Sequence, residues 1–402
     1  MVWDFTGEGC FSKVTICMVL ITLENVAIKI HKKTKDYVIQ RGVAMLEAIG
    51  ALDPHEKNIV KFMDNFRNSN LSCLAFKMLD RSLWDLMKER KRLQLSLNEI
   101  RPVTHQLLVA FEALKSIGIV HTDLKPDNIM LVNHKDQPFK IKLIDFGLAL
   151  PVSQVEVGMV MQANSYRAPE VTLGLPLSES VDMWGVGCVM AFMYFGMNLF
   201  PGNCTYHWMK TFLHLFGQPD DHKLTDGKYS WMYFTLDEDE DWRLRTPEEY
   251  EEVTGVKPLV FDRVFDLCSY LEDAVKRCPA KRDDVEYEDR MAFLDLLKCC
   301  LHPDTDHRIT PMEALKHHFI TMVHLGDELE TSSYTEAALQ FMTVTREESF
   351  DESDYDSSYE ESDSEKCCCN LSNTALTTDS QKEPSSSDKK RFINFFWLRC
   401  RP

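Results

Sequence analysis

A chain of 402 residues, 44% of them hydrophobic, has a globular composition and room for one large two-lobed body plus a tail. A formal net charge of −18 argues against a general nucleic-acid binder, because phosphate backbones attract basic surfaces. The 13 cysteines form no paired Cys-x-x-Cys arrangement, which favours free thiols in a reducing compartment over a disulfide framework.

The first residues lack the charged and apolar regions of a signal peptide. The longest apolar run, Met183 to Met197, is shorter than the ~20 residues a membrane helix needs. An intracellular protein of nucleus or cytoplasm, with no transmembrane segment, is expected.

Gly7-Glu8-Gly9-Cys10-Phe11-Ser12-Lys13-Val14 comes first. Backbone amides approach a phosphate closely only where side chains are absent, which suits Gly7 and Gly9. Ser12 stands where a third glycine would complete the pattern, and by itself the stretch reads more readily as an ordinary hairpin turn. The strand before it is expected to be clipped. Val26-Ala27-Ile28-Lys29 is an apolar strand ending in one lysine, placed to bind the α- and β-phosphates of a nucleotide.

Residues from about 35 to 49 read as a helix, on the spacing of Val43, Leu46 and Ile49. Leu71 to Phe76 is a short strand running into Lys77-Met78-Leu79-Asp80. Ser96-Leu97-Asn98-Glu99 is a capping box. Ile100, Val103, Leu107, Phe111 and Leu114 then mark one apolar helical face, and Gly118 is a stop.

The most informative stretch runs from Ile119 to Gly147. It contains His121-Thr122-Asp123-Leu124-Lys125-Pro126-Asp127-Asn128 and ends in Asp145-Phe146-Gly147, delivered by a strand in which Phe139, Ile141 and Leu143 alternate with lysines. Phosphoryl transfer needs a carboxylate to orient a hydroxyl, a cation for the moving phosphate and oxygen ligands for magnesium. Asp123 would accept the hydroxyl proton and Lys125 would steady the γ-phosphate. Asn128 and Asp145 would hold Mg2+, since hard cations take oxygen ligands. Any one of these residues alone would be an ordinary polar turn. The ordered set, followed by Ala168-Pro169-Glu170, is far more specific.

These motifs resemble eukaryotic protein kinases from about Gly7 to Met322. The match is closest to the homeodomain-interacting protein kinase family, through Asp123 to Val132, Leu173-Gly174-Leu175-Pro176, Trp242-Arg243-Leu244 with Thr246 to Tyr250, and Arg308-Ile309-Thr310-Pro311. The resemblance implies an α+β, two-lobed kinase fold, with a small β-rich N-lobe (1–79) and a larger helical C-lobe (80–325), while composition makes 326–402 an acidic, serine-rich tail expected to be disordered. It implies a hinge at which backbone groups around Met78 and Leu79 bind adenine, with Gly7, Gly9, Val14 and Lys29 completing the ATP site. It also implies a buried Glu170–Arg308 pair, Asp182 holding the catalytic-loop backbone, and protein substrates with transcription regulators among them.

Two functions compete on these residues. An active serine/threonine kinase is favoured by Lys29, Asp123, Lys125, Asn128 and Asp145. A pseudokinase or docking module is favoured by Ser12, the clipped start and Gly42, which takes the slot of the glutamate that normally pairs with the strand lysine. Serines beside acids, such as Ser353, Ser357 and Ser362, read as phosphosites or as a merely solvating tail.

Overall fold

The computed structural model describes residues 2–8, 12–32, 36–68, 71–258, 271–277, 284–328 and 332–346. Gly9 and the tail beyond residue 346, with its serines and its triple cysteine, lie outside them.

The first lobe is an antiparallel sheet in the order β1-β2-β3-β5-β4, made of β1 (Val2–Glu8), β2 (Ser12–Met18), β3 (Asn25–His31), β4 (Phe62–Asn68) and β5 (Leu71–Lys77). The first strand was expected to be clipped. It is a full seven residues and pairs with β2 from Val2↔Cys17 to Glu8↔Lys13. The register sets Val14 opposite Lys29 and Lys29 opposite Leu74, so the lysine sits mid-sheet. Helix α1 (Asp36–Ile49) buries Gly42, Leu46 and Ile49 on one face, as a 3.6-residue period requires, and packs against the Phe146–Leu148 turn.

The second lobe begins after Asp80, whose N–H donates to Leu131 O. Helix α2 (Leu83–Glu89) leads into α3 (Leu97–Ser116). The α3 capping box forms as its sequence dictates: Ser96 Oγ accepts from Glu99 N, and Glu99 accepts from Ser96 N. Gly118 follows at φ +66°, the left-handed conformation that lets the chain turn into the short strand β6 (Ile119–Val120). The hairpin of β7 (Ile129–Asn133) and β8 (Gln137–Leu143) carries both catalytic-type loops at one end.

Helices α4 (Pro169–Leu173), α5 (Ser180–Phe195) and α6 (Thr205–Phe216) form the base. Residues Val181 to Phe195 of α5 are all buried, which explains an apolar run too short to span a bilayer. Among the described residues no helix is long and apolar enough to cross a membrane. Arg308 donates to both oxygens of Glu170, at 2.6 and 2.9 Å, and lies 5.3 Å over the Trp184 ring.

The folded chain continues past residue 325, where the C-lobe was expected to end. A helix at Ser333–Met342 packs on α3, burying Thr335, Ala338 and Met342, and belongs to the compact unit Met1–Glu348. Tyr334 OH donates to Asp289 at 2.6 Å, Asn98 Nδ2 donates to Tyr334 O at 3.0 Å, and Phe341 meets Phe139 edge-on. Asp289 is itself fully buried against Arg101. The Tyr334 hydroxyl thus helps to satisfy that buried carboxylate.

Candidate active site

The catalytic loop is held from below. The Asp182 carboxylate, near the start of α5, accepts from His121 N at 2.7 Å and Thr122 N at 3.0 Å. Burial pushes that carboxyl up, while His121 and the two N–H donors pull the other way. The clamp holds Thr122 at φ +65°, an uncommon conformation for a β-branched residue.

Composition and spacing did not reveal the role of His121. Its Nδ1 accepts from Asp123 N at 3.3 Å, so its Nε2 carries the proton and donates to Ile144 O at 3.0 Å. The ring is wedged against Phe111 and Phe146. Thr122 Oγ1 donates to Leu148 O at 2.9 Å, and Ile144 N donates to Asn128 O at 3.0 Å. Three bonds thus stitch the loop bearing Asp123 to the turn bearing Asp145.

Asp123, Lys125 and Asn128 form one cluster. Lys125 Nζ lies 2.6 Å from Asp123 Oδ2, and Asn128 Nδ2 donates to Asp123 O at 2.7 Å and Oδ2 at 3.1 Å. With Nδ2 so engaged, the atom Asn128 leaves for a cation is its Oδ1. Asp145 sits at φ +61° and binds Lys29 Nζ at 2.6 Å and Gly147 N at 3.2 Å through Oδ1. Burial raises the Asp145 carboxyl, but the Lys29 ammonium and the hydrogen bonds outweigh it and hold it below the usual range. An ionised carboxylate and an amide oxygen are the hard donors magnesium takes, so these residues fit that ion.

Gly7 pairs with Val14 across β1 and β2, next to Lys29, while Met78 and Leu79 follow β5. Gly42 lies on the buried face of α1, and a Cβ built there would meet nothing within 4 Å. Glu47 instead lines a groove of about 330 Å³ with Val43, Phe66 and Arg67. Among the described residues the ion-pair partner of Lys29 is Asp145.

A second cluster, Asp295, His317 and His318, lies apart from this site. There His317 Nδ1 accepts from Phe319 N at 3.2 Å, so Nε2 holds the proton and points it at Asp295. That ring is a helix cap and not a ready metal ligand.

Comparison with known proteins places the geometry. Residues 3–320 match the protein kinase domain family. Homeodomain-interacting protein kinase 2 of Mesocricetus auratus is 38% identical over 353 residues, covering 86% of this chain and 30% of the relative. Homeodomain-interacting protein kinase 1 of Caenorhabditis elegans is 35% identical over 362 residues, covering 86% and 43%. Homeodomain-interacting protein kinase 4 of Macaca fascicularis is 33% identical over 353 residues, covering 84% and 57%. The chain therefore spans less than two thirds of each of these relatives.

Proposed function

The chain belongs to the protein kinase family, and from that premise we propose that it transfers the γ-phosphate of ATP to serine and threonine hydroxyls of proteins. The observation that carries the proposal is the Asp123–Lys125–Asn128 cluster, bonded at 2.6 to 3.1 Å and stitched to the turn that presents Asp145. Asp123 orients the acceptor hydroxyl and takes its proton. Lys125 stabilises charge on the moving phosphate. Lys29 reaches the α- and β-phosphates from mid-sheet, with Gly7 and Val14 above the nucleotide and the backbone of Met78 and Leu79 at its adenine edge. Asn128 and Asp145 hold magnesium, which neutralises charge developing on the phosphate oxygens.

Gly42 bears on the rate and not on the type of reaction. Without a carboxylate from α1, Lys29 rests on Asp145, and positioning it for transfer must compete with that pair. The substrates are proteins. The name of the relatives points to homeodomain transcription regulators, and so to nucleus or cytoplasm as the place of action.

The test is incubation of the full chain with ATP, magnesium and a panel of acceptor proteins, followed by identification of the phosphorylated residue. Phosphoserine or phosphothreonine supports the proposal. Phosphotyrosine alone, or no transfer at any ATP concentration, rejects it.

A further inference from the structure

The segment from Gly147 to Glu170 ends in a tight turn, Asn164–Tyr166, immediately before Ala168-Pro169-Glu170. Three side-chain bonds fasten that turn to the loop after α5. Asn164 Nδ2 donates to Gly202 O at 2.8 Å. Tyr166 OH donates to Asn198 Oδ1 at 2.7 Å, and Asn198 Nδ2 donates to Ser165 Oγ at 3.3 Å. One amide therefore binds the two adjacent hydroxyls of the segment. Burial pushes the Tyr166 phenol well above its usual pKa, so it stays protonated and able to donate.

Both hydroxyl-bearing residues are shielded: Ser165 is 7% and Tyr166 5% exposed. Ser165 Oγ would lie 2.8 Å from a Cβ built on Gly202, so the hydroxyl fills the space glycine leaves. A phosphate on either residue would have to break the bonds to Asn198 and leave its amide half-buried and unpaired.

The rest of the segment is fixed by backbone and side-chain hydrogen bonds too. Gln162 N donates to Thr122 O at 3.0 Å, tying the segment to the catalytic loop. Its side chain accepts from Ala168 N at 2.9 Å and donates to Val181 O at 2.8 Å. Arg167 donates to the carbonyls of Met161 and Gln162, each at 2.9 Å. Where an arginine commonly precedes the catalytic aspartate, Thr122 bonds Leu148 O through its hydroxyl.

We propose that Asn198 is a positioning residue that locks this segment in its acceptor-binding form by bonding Ser165 and Tyr166 together, so that the segment needs no phosphate to be ordered. The proposal rests on the kinase reading for its catalytic consequence but not for its structural one. Asn198 touches no reacting atom; it acts through the floor on which the acceptor chain lies.

The experiment compares the full-length parent with Asn198→Leu, which keeps the branching and heavy-atom count and removes both bonds, and with Asn198→Asp. The aspartate still accepts from Tyr166, and the Ser165 hydroxyl turns to donate to its second oxygen. Two readouts are taken: steady-state kinetics, and amide hydrogen exchange over residues 160–168. Asn198→Leu should raise the KM for a protein acceptor about 10-fold while leaving the KM for ATP within about twofold. It should also speed exchange over 160–168 about 10-fold, with α3 unchanged. Asn198→Asp should behave as the parent, and phosphatase treatment of the parent should change neither readout.

Parent-like exchange in Asn198→Leu overturns the proposal. So does an Asn198→Asp as impaired as Asn198→Leu, which would assign the effect to packing, and so does a loss of acceptor affinity on dephosphorylation. A parent with no transferase activity would reject the kinase reading, and the exchange comparison would still decide the lock.

Discussion

Lys29 Nζ lies 2.6 Å from Asp145 Oδ1, a pairing across 116 positions of sequence that puts the phosphate-binding cation on the metal-binding carboxylate. It forms where α1 offers Gly42, buried beside Leu46 and Ile49, and turns Glu47 toward Phe66 and Arg67. The space at Gly42 admits a side chain. Gly42→Glu should therefore supply the missing partner and free Asp145 for magnesium. If correct positioning of Lys29 is worth ~2–3 kcal/mol in the transition state, turnover at saturating ATP should rise roughly 30- to 150-fold. The helix should also gain about 1 kcal/mol from losing an interior glycine. Glu47→Ala should leave turnover nearly unchanged. Kinetics of the two variants against the parent settle the register, because loss of activity in Glu47→Ala would make Glu47 the true partner.

The Glu170–Arg308 pair is buried on both sides, with side-chain exposures of 2% and 0%. Arg308 also donates to the carbonyls of His302 and Ser180, each at 3.0 Å. Glu170→Ala would strand that guanidinium in the core and should cost about 3–5 kcal/mol. Thermal melting should drop by several degrees or more. An unchanged melting temperature would show that water reaches the pair.

The helix at Ser333–Met342 sets where the domain can be cut. A chain ending after Glu348 should melt like the full protein. One ending after Leu325 loses the Tyr334–Asp289 bond, the Phe341–Phe139 contact and the Lys140–Val344 bond. A hydrogen bond to a charged group is worth ~1.5–3 kcal/mol and a buried apolar side chain ~1.5–3 kcal/mol. Calorimetry should show the shorter chain clearly less stable. Equal melting of the two would mean the segment is decoration.

Lys142 supplies a pH signature. Its Nζ donates to the carbonyls of Pro54 and His55, fixing the loop that follows α1. Burial, with neighbouring Lys140 adding, pushes its amine from 10.5 down to about 8. Between those values the unfolded chain holds a proton the folded chain has shed, so stability contributed by this group rises with pH across about 8 to 10.5. The gain is at most ~3 kcal/mol, since one pKa unit is 1.36 kcal/mol. Melting of the parent relative to Lys142→Met should improve over that window. A flat difference would place the amine in solvent.

The legibility of the chain in its sequence follows the range of the interactions. Asp123, Lys125 and Asn128 were readable because six consecutive positions hold them, and the structure keeps them within hydrogen-bond reach. Gly42 was readable as a gap only through the family resemblance, which sets it in the slot of the pairing glutamate; the structure puts it on the buried face with Leu46 and Ile49. The Lys29–Asp145 pair was not, since each residue was read as facing ligand. The helix from Ser333 was missed because its buried face is Thr335, Ala338 and Met342, too weak an apolar stripe to stand out in a polar stretch. Asn198 carries no signal in its own neighbourhood; its meaning comes from two hydroxyls more than 30 positions earlier.

The most direct test of the account is phosphate transfer from ATP by the purified chain, compared with Asp123→Asn and Asp145→Asn. Each substitution replaces a carboxylate with an amide of the same shape, so melting should stay close to that of the parent. The account predicts measurable transfer by the parent to serine or threonine, and a fall of at least about 100-fold in each folded variant. Undiminished transfer in both variants would contradict it, because the chemistry would then lie outside the two loops that the fold brings together.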